Sequence, residues 1–122
     1  MISKFNKDSE FYTPERCYIT EMHNNDTDKD SSVARARVMP GVTTQLHALK
    51  DTDERYVILS GEGFVEVGSD FSANVGPLDV VYIPKDVSQR ITNTSKDTDL
   101  IFLCVCSPRF QVNSYIDLET QV

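Results

Sequence analysis

His47 and Glu54 stand on either side of a short acidic stretch, within Gln45-Leu46-His47-Ala48-Leu49-Lys50-Asp51-Thr52-Asp53-Glu54-Arg55-Tyr56-Val57-Ile58. Side chains alternate faces along a strand, so Gln45, His47 and Leu49 share one side, and Glu54, Tyr56 and Ile58 share one side of the strand that follows. A hairpin through the acidic turn carries His47 and Glu54 to a common interior. There an imidazole and a carboxylate make either a two-ligand nucleus for a metal ion or an acid/base pair in which Glu54 keeps His47 protonated to higher pH. Tyr56, on the face of Glu54, is a second group able to handle protons.

The chain holds two histidines, His23 and His47, so a site built from three histidines of one chain is excluded. His23 falls at a strand end before Asn24-Asn25-Asp26 and reads as a rim or surface residue. Cys104 and Cys106 share a strand face. They are expected as small buried hydrophobes, with a thiolate at the pocket as the competing reading. Arg35 and Arg37 alternate with Ala34, Ala36 and Val38; burial favours the alanine face inside and the arginines in solvent. Arg90 follows Gln89 and is expected to point away from the interior. Asp26-Thr27-Asp28-Lys29-Asp30-Ser31 opens like a calcium loop, but Ser31 and Arg37 stand where such a loop needs Gly and Glu, leaving a solvated turn.

The elements that must position these groups are short. Candidate strands run over Cys17–His23, Ser32–Met39, Thr43–Leu49, Arg55–Ser60, Gly63–Val67, Phe71–Val75, Asp79–Ile83, Gln89–Asn93 and Asp99–Cys106, rich in β-branched or aromatic residues and bounded by turn formers. Their spacing is that of an antiparallel sandwich or barrel. The 122 residues suit one compact domain. The expected organisation is an N-terminal arm over 1–16, a single barrel over 17–116 and a tail over 117–122. A formal charge of −7 with scattered basic residues argues against nucleic acid and anionic membranes as partners. No secretory leader or membrane-spanning run is seen, and three cysteines do not form a disulfide framework, so the expected compartment is the cytoplasm.

Gly41, His47, Glu54 and Gly61 are spaced as in the first motif of the cupin superfamily, with Leu49 standing where that motif has its second histidine. The second motif is matched by Pro84 and Asn93, while Leu78 and Asp86 replace its glycines and Gln89 its histidine. The chain therefore resembles a small single-domain cupin over about residues 33–110. The resemblance implies an all-β double-stranded β-helix, or jelly-roll, barrel that pairs as a homodimer.

Carried over by position, the metal ligands implied are His47, Glu54 and Gln89. They would hold a divalent manganese, iron, nickel or zinc ion weakly and with open positions, a closed structural zinc excepted. The substrate pocket is expected to take in Gln45, Leu49, Ile58, Phe102 and Cys104, with Glu54 and Tyr56 as catalytic groups. The function expected is a small cupin binding a divalent metal and a polar small molecule, of dioxygenase, isomerase or lyase type. The competing expectation is a metal-free ligand-binding or sensor cupin without catalysis.

Overall fold

Alternating apolar and polar residues between turn formers leave little for a helix to bury, and the chain is built from strands joined by tight turns. The structure is a computed structural model and describes residues 1–119; the last three positions of the expected tail lie outside the described residues. In chain order the strands are β1 Phe11–Tyr12, β2 Tyr18–His23, β3 Ser32–Val38, β4 His47–Leu49, β5 Asp53–Ser60, β6 Gly63–Val67, β7 Phe71–Val75, β8 Val80–Ile83, β9 Gln89–Asn93, β10 Leu100–Ser107 and β11 Tyr115–Asp117. Two single 3-10 turns, Lys7–Ser9 and Val112–Ser114, are the helical elements among the described residues. No helix there is long and apolar enough to cross a membrane.

The strands form two antiparallel sheets, ordered β1-β2-β3-β10-β5-β8 and β11-β4-β9-β6-β7. Their facing sides bury Val38, Ile58, Val65, Ile91, Leu100 and Phe102. Each such side chain contributes on the order of 1.5–3 kcal/mol through removal from water. Nearly every strand was legible in the alternation, and three of them (β6, β7 and β9) have the expected bounds. The expected strand over Thr43–Leu49 is shorter. Thr43 makes an isolated bridge to Thr92, and the Gln45 N–H goes at 3.0 Å to the carbonyl of Glu15, so pairing as a strand begins at His47.

Segment 1–16, expected as an arm, packs on the barrel and adds β1 to the edge of the first sheet. Glu10 holds it at one point through Arg37, at 2.7 and 3.1 Å. Arg16 holds it at another, with Nε–H donating to the Thr43 carbonyl and the guanidinium paired bidentately with Glu119. On β3 the alternation is as expected: Ala36 is buried, while Arg35 and Arg37 point outward to Glu10.

The turns carry the glycine logic of both motifs. Gly61 has φ +89, and a Cβ there would lie 2.5 Å from the Asp99 carbonyl oxygen, so neither conformation nor space admits a side chain. Leu78 and Asp86, which replace the second motif's glycines, nevertheless adopt φ 74 and 68. The left-handed backbone survives although the residue that favours it is gone. Asp86 has a compensating use: its N–H bonds the Leu49 carbonyl at 3.0 Å and its Oδ1 accepts from Asp51 N–H at 2.9 Å, fastening the turn between β4 and β5. Asn93, wholly buried, donates Nδ2–H to the carbonyls of Val38 and Thr98 and accepts from Ser95 N–H, which ties β9 to the neighbouring loop.

Candidate active site

At one end of the barrel the two sheets part around a cavity of about 390 Å³. Its floor comes from the strands that alternation pointed to: Gln45, His47 and Leu49 from the segment ending in β4, Glu54 and Tyr56 from β5, and Phe102, Cys104 and Cys106 from β10. Its rim comes from the chain ends, with Phe11, Thr13 and Glu15 on one side and Phe110, Val112 and Tyr115 on the other.

Two expected groups stand elsewhere. Ile58 shares the face of Glu54 and Tyr56 but does not line the cavity. Inward positions on a strand step about 7 Å apart, and the third falls in the apolar layer below, where Ile58 packs wholly buried in the core. Gln89 sits directly across from His47 in the pairing of β4 with β9, wholly buried outside the cavity wall, where it accepts a hydrogen bond from the Tyr56 hydroxyl. The remaining expected pocket residues, Gln45, Leu49, Phe102 and Cys104, do line the cavity.

His47 is oriented from both sides. Its Nδ1 lies 2.7 Å from the Gln45 carbonyl, which can only accept, so Nδ1 carries a proton. That leaves Nε2 facing the cavity, 3.5 Å from Glu15 Oε2. The ring stacks on Tyr115 with centroids 4.7 Å apart and planes 13° from parallel. The Tyr115 hydroxyl in turn donates to Gln45 Oε1 at 2.6 Å. Glu15 and Tyr115 were not found by sequence reasoning. Both come from end segments without periodicity, and only packing brings them to His47.

Glu54 is 6% exposed, and its Oε1 has no hydrogen-bond partner. Its Oε2 accepts from the Cys106 thiol at 3.8 Å. Burial pushes the Glu54 carboxyl up, against a smaller downward pull from His47 and the nearby Gln89 amide. Glu15 is likewise raised by burial, with His47 pulling it down. Tyr56 is pushed well above the usual phenol range, first by burial and then by Glu54, so its hydroxyl remains a donor to Gln89. Burial also raises the thiols, Cys17 to about 12 and Cys104 and Cys106 upward as well, which keeps all three protonated and weakly nucleophilic.

The donor set does not fit a metal ion. Leu49 brings no ligand atom, and Gln89 lies outside the cavity wall with its oxygen turned to the Tyr56 hydroxyl. Among the described residues no group of three or more His, Cys, Asp and Glu side chains is arranged to hold an ion. What remains is an imidazole and two carboxyl groups around an otherwise apolar space.

No family model and no curated protein matches the chain. Several solved structures do. Pac13 of Streptomyces, described as a nucleoside dehydratase, superposes with a TM-score of 0.78 at 15% identity, over 97% of this chain and 92% of that one. Oxalate decarboxylase from Bacillus subtilis gives 0.82 at 21% identity over 97% of this chain; the match spans 32% of the larger protein. A protein from Klebsiella pneumoniae with a double-stranded β-helix domain gives 0.70 at 16% identity, over 83% of this chain and 84% of that one. The likeness shows that this chain has the cupin-type double-stranded β-helix fold.

Proposed function

We propose that this cupin-fold protein is an acid–base enzyme that acts on a small molecule in the barrel cavity without a metal ion. The observation that carries this reading is the pairing of an unpartnered, buried carboxyl oxygen with an oriented imidazole around one cavity of about 390 Å³. Glu54 Oε1 is the base: a desolvated carboxylate binds a proton more strongly than one in water, and this oxygen makes no hydrogen bond. His47, held by the Gln45 carbonyl at Nδ1, presents Nε2 as the acid that returns a proton, with Glu15 Oε2 3.5 Å from it. Tyr56 positions Gln89 rather than exchanging protons.

Removing a proton from carbon and protonating a departing or receiving oxygen is the chemistry of eliminations and isomerisations. The fold likeness to a nucleoside dehydratase supports that class; each proton transfer of this kind contributes typically 10²–10⁴-fold in rate. The test is proton exchange into enolisable and β-hydroxy carbonyl compounds in D2O, followed by NMR with chelator-treated protein. Exchange that persists without metal and is lost in His47→Gln and Glu54→Gln is the expected result. Exchange that returns only on adding a divalent ion, or stoichiometric metal in the purified protein that is lost in His47→Ala, would overturn the reading in favour of the metal-dependent one.

A further inference from the structure

We infer that the cavity takes a small organic cation, a protonated amine or amidinium carried on a ring-sized apolar body; this rests on the pocket proposed above and names its ligand class. The first observation is the charge of the wall. Among the described residues Glu15, Glu21 and Glu54 line the cavity, and no lysine or arginine does. His47 is the one lining group able to carry positive charge, and Glu15 already faces it at 3.5 Å. Glu54 and Glu21 are left without a cation among the lining residues.

The chain does not lack cations, with twelve lysines and arginines in all. Those on strands around the cavity are turned out and paired there: Arg35 and Arg37 to Glu10, and Arg90 to Glu66. Hence an anion entering the cavity meets carboxyl groups and no fixed positive charge, an arrangement that disfavours like charges brought together at close quarters.

The second observation is independent of charge. Several donors near this wall are already committed inside the protein: the Tyr115 hydroxyl to Gln45, the Tyr56 hydroxyl to Gln89, the Thr44 hydroxyl to the Ile91 carbonyl, and His47 Nδ1–H to the Gln45 carbonyl. Glu54 Oε1, on a side chain more than nine-tenths buried, is an acceptor with no donor. A ligand N–H supplies it. The body of such a ligand finds aromatic faces in Phe11, Phe102, Phe110 and Tyr115, which favour cations as well as rings.

The test uses the full chain and an isosteric series, benzylamine (protonated at neutral pH), benzyl alcohol and benzoate, titrated by calorimetry at low salt with NMR shifts of cavity residues as the site readout. Expected are at least tenfold tighter binding of benzylamine than of benzyl alcohol, and no binding of benzoate. Glu54→Gln, with Glu21→Gln as a second variant at the rim, should bring benzylamine to the level of the alcohol. Alcohol or benzoate binding as tightly as the amine overturns the cation preference and leaves the pocket standing. Failure of all three to shift cavity residues overturns the inference; if proton exchange into neutral compounds is then still observed, the acid–base reading survives on its own.

Discussion

The outer surface of the barrel and its cavity treat the same side chain in opposite ways. Outside, Glu10 lies against Arg37, Glu66 against Arg90 and Glu119 against Arg16, and each guanidinium holds its carboxyl below the ordinary 4.5. Inside and at the rim, Glu15, Glu21 and Glu54 have no such partner, and desolvation moves all three above it. Glu10 and Glu15 are five positions apart on one segment, so neither residue type nor sequence neighbourhood decides the outcome. The pairing on β3 and the depth of the cavity do. A carboxyl left unpaired in a dry site is a costly feature for stability, and such a group in a cavity is the ground on which the site is proposed as functional.

The contrast is most exposed to Tyr56→Phe, which takes from the wholly buried Gln89 the hydrogen bond to its oxygen while its Nε2 is already without a partner. A loss of about 1–3 kcal/mol is expected in chemical denaturation; an unchanged midpoint would mean that the interior polar groups find other partners. Arg37→Ala comes next. It removes the bonds to Glu10 and Asp99 and the stacking of the guanidinium 4.2 Å over Tyr18. A cost of about 1–2 kcal/mol is expected, since the side chain is 23% exposed and only partly screened.

Smaller and of opposite sign with pH are the effects of the carboxyl groups themselves. The outer carboxyls contribute stability that is present above pH 4.5 and lost as pH falls through their lowered folded values. The inner ones contribute stability that is present below pH 4.5 and lost as pH rises through their raised folded values. Glu54→Gln is therefore expected to flatten the decline of stability on the alkaline side, with melting followed from pH 4 to 8, and to leave the acid limb unchanged. The smallest effect expected is that of Glu66→Gln, at most about 0.5 kcal/mol and vanishing in high salt, because the pair it breaks with Arg90 is more than 30% exposed on both sides.

Much of this architecture was readable in advance, for reasons that differ by residue. Strands β6 and β9 have the bounds their alternation indicated because alternate residues are buried, and β7, with no fully buried residue, is bounded by the Gly-Ser-Asp and Gly-Pro turns on either side. His47, Glu54 and Tyr56 were placed by parity, since a two-residue period on neighbouring strands leaves little freedom once one face is inside. Parity says nothing of depth, which is why Ile58 joined the core instead of the cavity. Nor does it say which partner a polar group chooses, and Gln89 went to Tyr56.

Residue types and their spacing determined an all-β barrel with one imidazole and one carboxylate on a common inner face, because burial acts on each strand locally and repeats along it. The surroundings of those two groups were decided by tertiary structure alone. Glu15 and Tyr115 reach His47 from opposite ends of the chain, and the arginines of β3 and β9 are all turned outward. Whether a carboxyl meets a guanidinium or a dry wall depends on contacts between segments far apart in sequence, and the free energy of a charge is set by those contacts.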